Sequence, residues 1–182
     1  MTRSGGINGR AAALRAEFDR VFAAPPREPP GEVRSMLAVR IEGDPYVIDI
    51  REVAEIVAKP CIVPVPTRCP DCLGIAGVRG GIVPVFSLAS LMGYSANTSE
   101  SPGWMALGAT GEPIAWAFDE FERQVIVAKS NVFPNEKFRS PRSHLAGIMR
   151  TDDGIRPVIS LGSVMKALSD RVATGWMAKE QA

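Results

Sequence analysis

The chain has 182 residues, 46% of them hydrophobic, and its 21 Lys+Arg against 20 Asp+Glu leave a formal net charge of +1. That length and apolar content suit one folded domain with a real core, and the balance lacks the cationic surplus that grips a phosphate backbone, so nucleic acid is not an expected partner. No uncharged apolar run approaches the roughly 18 residues that span a bilayer, and the start Met1-Thr2-Arg3-Ser4-Gly5-Gly6 has no apolar signal core, so neither membrane insertion nor classical export is expected.

Residues 1–34 read as an extension and linker. Leu14, Phe18, Val21 and Phe22 share one face of a helix from about Arg10 to Ala24, and that face either packs on the domain or docks a partner. Pro25-Pro26-Arg27-Glu28-Pro29-Pro30-Gly31 then breaks the helix. From Ser35 the period changes to two: Leu37, Val39 and Ile41, a turn at Glu42-Gly43-Asp44, then Tyr46, Ile48 and Ile50 predict a β-hairpin. Asp49 and Glu52 are placed to cap a short helix through Ile56.

Pro60, Pro64 and Pro66 keep the next segment extended and confine any strand there to an edge. Gly74 to Arg79 reads as a strand, Gly80-Gly81 as a tight turn with positive φ, and Ile82 to Phe86 as the returning strand. Ser87 caps a helical turn Leu88 to Met92 that ends at Gly93. Further strands are expected at Trp104 to Leu107, Ile114 to Phe118 and Gln124 to Val127, followed by a loop from Asn131 to Arg142. A last hairpin runs Leu145 to Arg150 and Ile155 to Ile159 around Thr151-Asp152-Asp153-Gly154, and Ser160 caps a final helix that continues past Leu168. The 15 prolines and 17 glycines agree with many turns and short strands.

Two stretches echo each other. Ile75-Ala76-Gly77-Val78-Arg79 with Pro84-Val85-Phe86-Ser87-Leu88 reads like Leu145-Ala146-Gly147-Ile148-Met149-Arg150 with Pro157-Val158-Ile159-Ser160-Leu161. In this alignment the second copy has a turn longer by three residues. The echo predicts two similar small β-subdomains within one domain.

The segment Gly74 to Leu88 resembles the signature of CheW-like domains, in which a strand ending in Arg-Gly turns back into an apolar strand carrying a proline, here Arg79-Gly80 and Val83-Pro84-Val85. Tyr46 to Ile56 with Glu55-Ile56, Pro64-Val65-Pro66, Ala117-Phe118-Asp119 and Leu145 to Val164 extend the likeness across most of the chain. It departs from the family at Gly77, where Asn is usual, and at Ser87, where Asp is usual. The resemblance implies a mainly β fold of two packed five-stranded barrels with short helices over 35–168, flanked by the N-terminal helical extension and a C-terminal helix or tail over 169–182.

It also implies a non-catalytic adaptor without cofactor, in the cytoplasm at receptor arrays, joining a CheA-type histidine kinase to the cytoplasmic tip of a chemoreceptor. Arg79 matches a residue of receptor coupling and Glu55 a carboxylate able to pair with it. Gly80 and the apolar Ile75, Val78 and Val85 complete the implied partner-binding set. The N-terminal extension and the two departures leave room for an array that controls something other than flagella.

Other chemistry is also represented among the residues. Cys69-Pro70-Asp71-Cys72 has C-x-x-C spacing, which marks a thiol redox site when its first cysteine starts a helix, or half a zinc site when two more ligands are supplied, here Cys61 and His144. Three cysteines, an odd count, fit reduced thiols better than a disulfide framework. His144 is the only histidine, and with no G-x-S-x-G segment it reads as a loop residue rather than a catalytic base. Asp119, Glu120 and Glu122 read as a solvated acidic face. Trp104 and Trp116 fall on strands expected in the core, and Trp176 lies in the C-terminal tail as core or contact residue.

Overall fold

A computed structural model describes residues 31–95, 101–134, 144–151 and 153–177, apart from the side chains of 172–177. The helix expected between Arg10 and Ala24 lies outside these residues. Strands β1 (Val33–Ile41) and β2 (Asp44–Asp49) form the first hairpin, in register from Met36↔Asp49 to Ile41↔Asp44. Glu42 and Gly43 make its loop at φ 51° and 80°, the type I′ geometry whose twist matches the strands it joins.

Asp49 caps the next turn by accepting the Arg51 N–H at 3.0 Å. The helix expected through Ile56 ends after one 3₁₀ turn, Ile50–Glu52, and Val53–Ala58 is strand β3. β-Branched Val53, Ile56 and Val57 favour the pleat, and the strand pairs with β7 (Trp104–Gly108). The short β4 (Ile62–Val63) takes the sheet edge that its neighbouring prolines permit.

The second hairpin joins β5 (Cys72–Val78) and β6 (Gly81–Ser87). Its loop is Arg79-Gly80 at φ 50° and 82°, one residue earlier than expected. Val78 pairs with Gly81, so Arg79 itself takes the left-handed conformation. Ser87 then caps α1 (Leu88–Leu91), accepting the Ser90 N–H at 3.1 Å.

β8 (Ala115–Phe118) and β9 (Glu120–Ala128) follow β7, and the acidic residues Glu120 and Glu122 belong to β9. Inside the stretch expected as loop, Val132–Pro134 forms β10, tolerated with its proline because β10 ends its sheet. The closing elements are β11 (Leu145–Thr151), β12 (Gly154–Ile159) and α2 (Leu161–Met177), with Ser160 Oγ accepting the Ser163 N–H at 3.2 Å.

The strands make two six-stranded sheets, β10-β11-β12-β2-β1-β9 and, read in the matching direction, β4-β5-β6-β8-β7-β3. Each sheet therefore takes a hairpin from one half of the chain and four strands from the other. The hairpins β1–β2 and β7–β8 are exchanged between halves, and each meets the foreign strands through a parallel pair, β2 with β12 and β8 with β6. The subdomains foreseen from the echo exist in space, but neither is continuous in sequence.

Register corrects the echo. Cys72↔Phe86 and Gly74↔Val85 flank a bulge, as Leu145↔Ile159 and Gly147↔Val158 do. Gly147 thus corresponds to Gly74 and not to Gly77. Both hairpin loops are the same length, since Val78↔Gly81 is matched by Thr151↔Gly154. The two matched glycines also meet matched neighbours: a Cβ on Gly74 would lie 2.2 Å from the Val63 carbonyl oxygen, and one on Gly147 2.1 Å from that of Phe133.

Alternation along the strands divides the buried residues among three clusters. Ile41, Tyr46, Ile48, Phe86, Trp116, Phe118 and Ile159 meet α1 and α2 in a central core shared by both sheets. The opposite faces bury Ala76, Val78, Val83, Val85, Met105, Ala115 and Ala117 in one sheet and Met36, Ala38, Val47, Met149 and Val158 in the other. A sheet buried on both faces without a further layer has to curl around its own second cluster. Trp116 is in the central core as expected, whereas Trp104 is half-buried against Phe121, with ring centroids 5.4 Å apart.

Candidate partner-binding site

Curling brings β3, at one end of its sheet, to the tip of the β5–β6 hairpin. There Arg79 Nε lies 2.6 Å from Glu55 Oε2, with the Arg79 side chain 73% exposed and that of Glu55 27%. The pair therefore holds an exposed guanidinium in one direction, and its other nitrogens are left to face solvent or a partner. Gly80 completes the tip, at a left-handed φ that a side chain would strain.

Directly opposed residues in the antiparallel ladders share a face. Val63↔Ile75↔Pro84 and Gly77↔Ile82 place these five residues on the outer face of β4–β6. Ile82 is 73% exposed and Val63 54%, while Ile75 is half-buried. Val78 and Val85 point the other way, into the core of their own sheet, so they shape the hairpin from inside. Ile82 was not singled out from sequence, although inward Val83 and Val85 imply an outward residue beside them.

The departures from the family pattern fall differently on this face. Gly77 is exposed, and a Cβ there would meet no atom within 4 Å, so glycine is not imposed by packing and its presence changes only the surface. Ser87 retains the capping role at α1.

The other sheet carries a counterpart with the charges reversed. Arg123 follows the irregular step of β9 as Glu55 follows that of β3, and its guanidinium meets Asp153 at the tip of the β11–β12 hairpin. Beside it Glu122 receives Arg40 at 2.6 Å and Arg156 at 2.8 Å, with Glu122 and Arg156 both largely shielded. Glu122 is thus part of a cross-strand charge cluster rather than of a solvated face. Asp119 is exposed and accepts the Glu42 N–H.

Cys69 opens a turn instead of the helix that activates the first cysteine of a catalytic redox motif. Burial pushes the Cys72 thiol up from its ordinary value, which disfavours the thiolate. Among the described residues no three His, Cys, Asp or Glu side chains gather as metal ligands. His144 is buried instead of lying in an open loop, and burial followed by the nearby Arg171 charge lowers its pKa.

Asp71, between the cysteines, is buried. Its carboxylate accepts the Ser90 hydroxyl and the Arg171 guanidinium at 2.9 Å, joining the turn to both helices. No local sequence signal marks it, because its partners lie far along the chain. Trp176 falls in the last turn of α2, its side chain outside the described residues.

Two curled sheets with exchanged hairpins and a shared core, presenting a fixed Arg–Glu pair beside an exposed apolar face, define the class as a duplicated two-lobed β module. The sequence matches the CheW-like domain over residues 35–169, and the chain belongs to that family. Its fold is similar to that in the crystal structure of the scaffolding protein TtCheW from Thermoanaerobacter tengcongensis, at 19% identity and a TM-score of 0.62, covering 71% of this chain and 90% of that one. No curated protein matches the sequence. Among the described residues, no helix is long and apolar enough to cross a membrane.

Proposed function

We propose that the chain is a non-catalytic adaptor that couples chemoreceptors to a CheA-type histidine kinase in bacterial chemosensory signalling. The observation that carries this reading is the exposed Arg79, held by Glu55 at the hairpin tip of a CheW-like domain. Residues 35–168 make up the body of the adaptor domain, each curled sheet closing as a barrel, although β1 already begins at Val33 and α2 continues to Met177. Arg79, Glu55 and Gly80 present the polar part of the receptor contact, and Ile75 with the neighbouring Ile82 supplies apolar area. Val78 and Val85 support that surface from beneath. The protein works in the cytoplasm at receptor arrays and needs no cofactor.

Co-purification of the full chain with a CheA-type kinase and with a chemoreceptor cytoplasmic tip tests the reading. Association with both is expected, and Arg79→Ala should weaken the receptor arm. Absence of both associations, or an Arg79→Ala variant that binds the receptor tip like the parent, counts against it.

A further inference from the structure

The turn Cys69-Pro70-Asp71-Cys72 has no part in the partner contact. The Cys72 N–H donates to the Cys69 carbonyl at 3.2 Å, which closes a β-turn with proline at its second position. Such a turn keeps its first and fourth Cα atoms within about 7 Å, and disulfides span Cα separations of about 4.4–6.8 Å. Both cysteine side chains pack against the central core, whereas Asp71 between them turns to Ser90 and Arg171. The two side chains therefore touch one and the same cluster. Both thiols are free and half-buried, and each is near enough for Cys69 to contribute to the upward shift of Cys72.

We propose that Cys69 and Cys72 are a modification site that closes to a disulfide by exchange with a small-molecule disulfide of the glutathione type, with Asp71 passing the change to α2. Burial disfavours the Cys72 thiolate, which makes Cys69 the attacking group. Its thiolate attacks one sulfur of the oxidant, the oxidant's S–S bond breaks, and one glutathione thiolate leaves with the electron pair. Cys72 then gives its proton to solvent and attacks the Cys69 sulfur of the mixed disulfide, displacing the second glutathione thiolate. Two protein thiols are oxidised to one cystine while one glutathione disulfide is reduced to two thiols.

Asp71 lies inside the ring so formed. Its carbonyl accepts the Ser87 N–H at 2.8 Å, and its carboxylate holds Ser90 and Arg171. A bond drawn across it resets its backbone and loosens its hold on α2.

The test incubates the full chain with oxidised glutathione, alkylates the remaining thiols and maps them by mass spectrometry. Loss of two of the three alkylatable thiols, a linked Cys69–Cys72 peptide and an alkylated Cys61 are expected. Amide exchange over 161–171 should be faster in the oxidised than in the reduced chain, with no difference in Cys69→Ser/Cys72→Ser. Three alkylated thiols, glutathione retained on Cys69, or a bridge using Cys61 overturns the site. A Cys69–Cys72 bridge with unchanged exchange in α2 overturns the role given to Asp71.

Discussion

The carboxylate of Glu52 accepts the backbone N–H of Leu161, 109 residues further along the chain. The Gly162 N–H and the Ser160 hydroxyl also lie where they favour its charged form. The first turn of a helix has N–H groups with no partner inside the helix, and here the elbow between β2 and β3 supplies the acceptor. The first half of the chain thereby anchors the terminal helix of the second.

This cap has a pH signature. Burial, its largest influence, holds the Glu52 carboxyl above the ordinary 4.5. A carboxyl whose pKa is raised by folding binds more protons folded than unfolded, so its contribution is most favourable below 4.5 and declines as pH rises from 4.5 through the raised folded value. Asp49 has the opposite sign: its hydrogen bond from Arg51 holds it below the ordinary 3.8, so its stabilisation is full above 3.8 and lost as pH falls through the lowered value. Glu52→Gln removes only the first ionisation. The Tm difference, variant minus parent, should become more positive as pH rises from 4.5; a flat or falling difference contradicts the assignment.

Gly74 and Gly147 should share one sensitivity. Alanine at either forces a Cβ onto a carbonyl oxygen of the preceding edge strand, and overpacking of this kind costs about 1–3 kcal/mol. Gly77→Ala has open space and should stay within about 0.5 kcal/mol of the parent. Urea unfolding of the three variants decides. A Gly147→Ala variant as mild as Gly77→Ala would remove the correspondence with Gly74.

That correspondence depends on strand pairing, which local sequence does not encode. The hairpins and the Ser87 and Ser160 caps were legible because each depends on residues within a few positions. Local capping at Asp49 suggests a helix through Ile56, which the sheet partner of β3 overrides after one turn. Residue likeness aligns Gly77 with Gly147, while bulges at Cys72/Gly74 and Leu145/Gly147 set the true register. The Arg79–Glu55 pair was foreseen through the family pattern. Glu52 and Asp71 were not, because their partners are supplied by the fold of the other half.

The Asp71–Arg171 ion pair should behave as a coupled unit. Removing Arg171 strands a carboxylate whose side chain is 6% exposed, leaving Ser90 as its remaining side-chain donor. Arg171→Ala should cost about 1–2 kcal/mol in the parent and little when Asp71→Asn is already present, since the charge to be neutralised is gone. A double-mutant cycle by chemical unfolding measures this. Equal costs in both backgrounds would show that Arg171 stabilises α2 by some other contact.

Arg79 offers a separation of stability from coupling. Its φ of 50° is one that a β-carbon disfavours by roughly 1–2 kcal/mol, and the exposed ion pair with Glu55 repays only about 0–1 kcal/mol. Asparagine tolerates the left-handed region, and Asn-Gly is the preferred pair for this two-residue loop. Arg79→Asn should therefore raise stability by up to about 1 kcal/mol while weakening association with the receptor tip. Glu42→Asn, at the matching position of the first hairpin with φ 51°, should stabilise similarly and leave association unchanged. Thermal unfolding and receptor-tip binding of the two variants together distinguish the roles. If Arg79→Asn lowers stability, the guanidinium is a structural strut of the curled sheet; if it raises stability and spares binding, the partner contact lies elsewhere than at this tip.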